Sequence, residues 1–498
     1  MARLRLWIAV HLPRLAIEAF FRRHMGDPGC VIVEGDRVVA MSAAAAAAGV
    51  RVGMRRGGAL MLLPEVVIVE RDPTREHECE NAVAMALLQY TPQVALTEES
   101  VLLMDVGASL TLFRGPRALC RRIRADLRAF GITAHLGSAP TARGAWLLAR
   151  YGCGLRRTLG MSSMSRRLEQ LPASVVPLCR PFEAWFDGIG CSTIGDLRRL
   201  PRPGLQRRCG RALLDFLDAA YGSACEMHAW FEPPETFRAQ IEILDRVEKA
   251  DELLAGAHGL VLQMLGWLCT RRLAVRRLQL RMVHERGRVA RPPTMLEIAL
   301  ADAVWRDDHI VRLLKEKLAR QTLEAPVIGL ALEVCEVVPM EAPTLSLFPD
   351  PNAKETDQQQ LLEVLAARLG AENVLRPQPT ADHRPNVANT WAHASSRIGA
   401  AELAASLPPD GVPFPRPTWL LAEPIRLLMR DNRPFYASAL RLVSSPERIE
   451  AGWWSGTQTR DYFIAEGTDH TLYWVYRERG STADGEPELK WFLHGLFG

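Results

Sequence analysis

Four groups of residues in this chain have the types and spacing to do chemistry or to hold a ligand. The first is a run of arginines, Arg271, Arg272, Arg276, Arg277, Arg281, Arg286, Arg288 and Arg291, set against the single acid Glu285. Leu278, Leu280 and Met282 alternate with Arg277, Gln279 and Arg281, so a strand here would bury one face and offer a basic stripe on the other. Such a stripe suits a sugar-phosphate backbone, with binding that is sequence-independent and weakened by salt. The second is Asp187-Gly188-Ile189-Gly190, where glycines let a backbone come close to a phosphate and amides at a helix start can face it. Thr193, Arg198 and Arg199 could add contacts there. The third comprises two half metal sites, His77 with Cys79 and Cys225 with His228. Neither has a second pair at finger-like spacing, and both read as ordinary unliganded residues. The fourth is a tail in which ten of the 46 residues from Trp453 to Gly498 are aromatic, against 7% of the whole chain. Trp453, Trp454, Tyr462, Trp474 and Trp491 are expected to build a compact module and lend some rings to a partner interface.

The elements that must position these residues change character along the chain. Up to about residue 150, short apolar strands alternate with helical patterns: Leu4–Val10, a hairpin of Cys30–Val33 and Val38–Met41, Val66–Glu70, a helix near Arg75–Gln89, the strand pair Val94–Leu96 and Val101–Val106, a helix over Arg117–Phe130 and a strand at Thr133–Leu136. That alternation implies a mixed α/β sheet. Residues 171–231 are helical and punctuated by Pro and Gly. From Thr236 to Val338 the pattern is β-α-β-β-α-β, with a long helix over Ala250–Arg271. A polar, Pro-bearing stretch near 377–416 reads as a linker. The expected domains are 1–170, 171–234, 235–340, a linker over 341–415 and a C-terminal region over 416–498.

The 498 residues are 48% hydrophobic and 24% charged, which excludes wholesale disorder. The net charge of +4 is too small to argue for nucleic acid by itself. Ten scattered cysteines and the opening Met1-Ala-Arg-Leu-Arg-Leu-Trp, without a signal-peptide pattern, suggest a reduced, cytoplasmic protein. No apolar run is expected to reach the ~20 residues of a bilayer span.

Taken in order, these segments resemble the Y-family (DinB/UmuC-type) translesion DNA polymerases over about Leu4–Val338. The resemblance implies an α/β and α+β multidomain fold: palm and fingers, a helix-hairpin-helix thumb around Gly188 and Gly190, and a β-α-β-β-α-β little finger. The tail phrases "ERIEAGWW", "RDYFIAE", "YWVYRE" and "WFLHGLFG" are similar to the C-terminal region of the polymerase-like subunits of bacterial mutasomes. Active polymerases of this family need acidic metal ligands in a D-x-D strand end and an S-x-D-E turn, because in-line phosphoryl transfer uses two divalent cations. Anchored on Glu18, "LWIAVHLPRLAIE" puts Ala9 and His11 at the first pair of positions. "EESVLLMDVG" puts Ser100 and Val101 at the second. Glu98 and Glu99 would reach a metal only by a two-residue slide, and Asp105 reads as a strand-end residue. The positions that grip the triphosphate fall on Ala43 and Ala46 in "MSAAAAAAGVRVGM" and on Ala145. Methyl groups offer a phosphate nothing.

The resemblance therefore implies a pseudo-enzyme without cofactor or metal. Its expected partners are primer-template DNA, RecA, an ImuA-type RecA-like accessory protein and an error-prone C-family DNA polymerase, in damage-induced (SOS) mutagenesis at the nucleoid. Thr344-Leu345-Ser346-Leu347-Phe348, between Pro343 and Pro349, looks like the short peptide that binds the β sliding clamp, with Thr344 where Gln is usual. The alternative is an active translesion polymerase with relocated carboxylates drawn from Glu98, Glu99, Asp105 or Glu18.

Overall fold

The computed structural model describes residues 5–22, 29–151, 156–285, 291–340, 353–380, 382–394, 415–451, 458–481 and 487–497. They form two compact units, Met1–Arg368 and Leu369–Gly498.

The first unit starts from a five-stranded sheet in the order Val94–Thr97, Val101–Asp105, Trp7–His11, His135–Ala139, Arg156–Arg157. The central strand Trp7–His11 runs antiparallel to both neighbours, with Ala9 opposite Leu103 on one side and Gly137 on the other. Strand alternation sorts its residues: Ile8, Val10, Leu102 and Met104 enter one core, while Ala9, Val101 and Leu103 enter a second. Helices Pro73–Leu87 and Pro116–Ala129 fill the first face. Helix Ala142–Arg150 lies on the second, so close that a Cβ on Gly137 would stand 2.4 Å from the Ala145 carbonyl. A smaller sheet of Cys30–Glu34, Arg37–Met41 and Val67–Glu70 carries its own core around Val31, Val33, Val38 and Ala45. Residues 161–220 are helical and share the second core of the main sheet through Met164, Phe186 and Leu213.

The expected β-α-β-β-α-β segment is present. Its antiparallel sheet has the order Thr294–Val304, Leu273–His284, Val327–Pro339, Arg238–Val247, with helices Ala250–Arg271 and Asp307–Arg320 beside it. The helix Ala250–Arg271 overturns one expectation, because it is long and apolar enough to cross a membrane by length and composition alone. Here it is a core helix that serves two sheets. Val261, Leu265 and Leu268 are buried in a cluster that also holds Val83 and Leu87 of the first sheet's helix, and a Cβ on Gly266 would collide with the Met85 carbonyl at 1.8 Å.

A helix comes before the polar stretch read as a linker, and that stretch itself contains a hairpin. Helix Ala353–Leu369 buries Val364 and Ala367 in the main core, and Glu363 accepts from the Ala301 amide (2.6 Å) and His309 Nε2 (2.5 Å). In the second unit, Leu375–Pro379 pairs with Asn389–His393 as a hairpin. That unit is dominated by a six-stranded sheet built on Trp419–Arg426, Pro487–Leu496, Leu472–Ser481 and Gln458–Glu466. It buries aromatic rings on both faces.

Candidate functional site

The strand ends of the main sheet are where cation chemistry would have to occur. Ala9 is fully buried, packed with Leu103, Ala139 and Trp146. Val101 is buried on the same side, opposite His11. Ser100 closes a tight turn in which Glu99 (φ 60°) and Ser100 (φ 54°) both take the left-handed conformation. The Ser100 carbonyl accepts the Leu12 amide at 2.9 Å, and its hydroxyl bonds Glu80, whose carboxyl burial holds above the usual range. The pairs Thr97–Val101 and His11–Val101 keep the ungapped register. A two-residue slide would break both ladders.

The two acids of that turn are each held by arginine. Glu99 pairs with Arg150 and, at 2.7 Å, with Arg180; Glu98 pairs with Arg143. The Arg143 amide donates to Glu226 at 2.9 Å, and its guanidinium lies 4.7 Å over Phe216. Arg150 Nη1 donates to His11 Nε2 at 3.1 Å. Burial first, then Arg150 and His135, pushes the His11 pKa down to about 4, so the ring is a neutral acceptor. The partners come from the turn, from helix Ala142–Arg150, from Arg180 in the 3-10 stretch Pro177–Phe182 and from Glu226 beyond helix Arg211–Ala220. The network therefore ties the sheet to the helical segment. Arg143 and Arg150, both on helix Ala142–Arg150, are interior to it. Their seven-residue separation, which puts both on one helix face, was the available signal.

These residues do not fit a pair of catalytic cations. The side chains of Ala9 and Val101 have no lone pairs, Glu98 and Glu99 are charge-matched by arginines, and burial holds Glu80, beside Ser100, towards its neutral form. Among the described residues no group of three or more His, Cys, Asp or Glu could hold a metal. His77 is exposed beside Glu80, and His228 is packed between Trp7 and Trp230.

Ala43 and Ala46 are exposed on the short helix Ala43–Ala47, which Ser42 caps by accepting the Ala45 amide at 3.2 Å. Ala145 is fully buried against the sheet, where its methyl group packs with Ala9 and Leu103 in the second core.

Gly188 ends the helix Glu183–Gly188 and Gly190 lies in the turn after it, both exposed with open space where a Cβ would be. The expected concavity of free amides is absent there. The amides of Ile189, Gly190 and Cys191 bond back to Trp185, Asp187 and Phe186, and those of Ile194 and Gly195 reach Leu171 and Glu169. Thr193 is occupied as a cap in a reciprocal pair with Asp196, and Arg198 bonds Glu169 at 2.7 Å. What remains is close approach of backbone and exposed arginine.

The arginine strand alternates as expected, with Leu278, Leu280 and Met282 buried. Its outer face is not purely basic. Neighbouring strands place Glu297 and Glu333 opposite Gln279, and Glu336 opposite Arg277. Arg277 lies 3.6 Å from Glu297 and 3.9 Å from Glu336. Arg276 stands at a register shift between Val275 and Arg277, and is exposed, as Arg277 is. Arg286 and Arg288 lie outside the described residues, as do Thr344, Leu345, Ser346, Leu347, Phe348, Trp453 and Trp454.

Tyr462, Trp474 and Trp491 correct a second expectation. All three are buried, Tyr462 stacking on Trp474 at 4.1 Å and bonding His494 Nδ1 at 2.9 Å, so their rings pack the sheet. Among the described residues of this unit, Trp391 and Trp419 are exposed, and composition did not single them out.

Residues 16–150 match the impB/mucB/samB family. ImuB proteins of two strains of Caulobacter vibrioides are each 26% identical over 470 residues, covering 90% of this chain and 99% of their own length. Solved structures of Dbh DNA polymerase, a post-insertion binary complex and an insertion ternary complex, align with 67% of this chain and 99% of theirs at 15% and 16% identity, each with a TM-score of 0.36. The chain is thus similar to ImuB along nearly its whole length and matches the impB/mucB/samB family over residues 16–150.

Proposed function

We propose that this chain is a non-catalytic Y-family polymerase homologue that binds DNA and the β sliding clamp and recruits an error-prone C-family polymerase for translesion synthesis and damage-induced mutagenesis. The observation that carries this reading is the residue set at the strand ends: Ala9, Ser100 and Val101 where carboxylates would ligate cations, with Glu98 and Glu99 committed to Arg143, Arg150 and Arg180. Primer-template DNA is held through the exposed Gly188–Gly190 turn and through Arg276, Arg277, Arg281, Arg286 and Arg288. Thr344–Phe348 engages the clamp by seating Leu347 and Phe348 in an apolar pocket. The C-terminal unit meets RecA, an ImuA-type protein and the polymerase, all in the cytoplasm at the nucleoid.

Primer extension by the purified chain with Mg²⁺ or Mn²⁺ tests the first part. No incorporation is expected, and incorporation lost on changing Glu98 and Glu99 to Gln would establish the relocated-acid polymerase instead. Leu347→Ala with Phe348→Ala is expected to abolish retention on the clamp. A pull-down comparing the full chain with one ending near Asp350 shows which partners need the C-terminal unit.

A further inference from the structure

Away from the strand ends, a cavity of about 360 Å³ lies between the first sheet's helices and the β-α-β-β-α-β segment, within the first unit. Arg22 lines it and is nine-tenths buried. Its guanidinium lies 4.8 Å over the Phe130 ring and bonds the Cys79 thiol, whose pKa burial raises; Nη1 is buried with no hydrogen-bond partner. No carboxylate stands within 4.0 Å of Arg22 among the described residues. The other cation on the wall, Arg75, is matched by Glu242 and stacks over Phe20 at 4.9 Å, and two exposed carboxylates also line the cavity, Asp72, which caps helix Pro73–Leu87, and Glu78. A buried guanidinium with an unmet donor is costly to keep, and burying a charge is tolerated when a counter-charge completes it. The cavity beside it is larger than a single water needs.

We propose that this cavity is a binding site for a small oxyanion-bearing molecule, a phosphate monoester or a carboxylate, recognised by Arg22. The anion supplies the acceptor that Arg22 lacks, since a guanidinium presents planar donors matched to such oxygens. Phe20 and Phe130, already facing the cavity with a guanidinium on each ring, give the molecule's less polar body an apolar wall.

The test is thermal unfolding of the full chain in inorganic phosphate and in acetate, each against chloride at the same ionic strength. The midpoint is expected to rise with one or both anions beyond the chloride control, because a ligand that binds only the folded state stabilises it. Arg22→Gln is expected to lose that anion-specific rise. Should that variant not fold, Ala82→Leu, which narrows the cavity and leaves Arg22 in place, is expected to lose it too. A response to phosphate alone assigns a phosphate ester, and a response to acetate assigns a carboxylate. Midpoints that track chloride with both anions would mean the cavity holds only water and overturn the proposal. So would an anion-specific rise that survives in both variants.

Discussion

Two of the places where glutamate and arginine meet in the first unit have opposite consequences. At the strand ends, Glu99 and Arg150 are each only 22% exposed, and Arg180 closes the pair from another segment. On the outer face of the four-stranded sheet, Arg277 is 49% exposed and its acids lie at 3.6 and 3.9 Å. A screened pair at the surface is worth ~0–1 kcal/mol and can be traded for a phosphate. A partly buried pair is fixed by what removing either member would strand. The same two residue types thus close one region to ligands and leave the other open to them.

The largest test of this contrast restores an acid. Ala9→Asp puts a carboxyl where the side chain is fully buried among aliphatic neighbours. Burial disfavours the charged form, so a loss of ~4 kcal/mol at neutral pH is expected in urea unfolding, with no gain of nucleotide incorporation. Because the folded-state pKa of that carboxyl would be raised, the penalty should shrink as pH falls towards 5. A variant as stable as the parent would mean the strand end is more open than its packing indicates.

Next, Glu99→Ala should cost ~2 kcal/mol, between the ~0.5 kcal/mol of an exposed pair and the ~4 kcal/mol of a broken buried one. Glu336→Ala on the open sheet should cost under ~0.5 kcal/mol. Equal losses at the two sites would erase the distinction.

Acid separates the regions as well. His11 is held near pKa 4 by burial, against an ordinary 6.5. A base depressed in the folded state binds its proton more readily when unfolded, so its contribution is intact above pH 6.5 and lost as pH falls to about 4. The first unit should therefore lose stability across that window, and His11→Gln should flatten the loss. His494, likewise lowered to about 4 by burial, predicts a parallel loss in the C-terminal unit that His11→Gln leaves untouched.

How much of this was readable beforehand depends on whether the cause was local. The helix Ala250–Arg271 was legible with its bounds, and the strands around it in their order, because alternation and helical spacing are properties of adjacent residues. Ala9, Ser100 and Val101 at the strand ends came instead from the family resemblance, through the motif register anchored on Glu18. The arginines that neutralise Glu98 and Glu99 were not legible, since Arg180 and Glu226 reach the turn only through the tertiary fold. Nor were the acids beside Arg277, which sit on partner strands distant in sequence. In the tail, composition showed that rings cluster but not which side of a sheet they take. Tyr462, Trp474 and Trp491 therefore looked like an interface and proved to be interior.

The smallest effect concerns the open face. Arg277→Ala removes a side chain already shared between Glu297 and Glu336, so its stability cost should fall below ~1 kcal/mol. Its effect on DNA should appear in salt dependence, lowering the slope of log affinity against log salt by about 1. Glu336→Gln should act in the opposite sense, strengthening DNA binding by removing a competitor for Arg277 with little change in stability. If Arg277→Ala left the slope unchanged while Glu336→Gln still tightened binding, the acids would be acting on the phosphate by repulsion alone. The contact itself would then belong to Arg276 or Arg281.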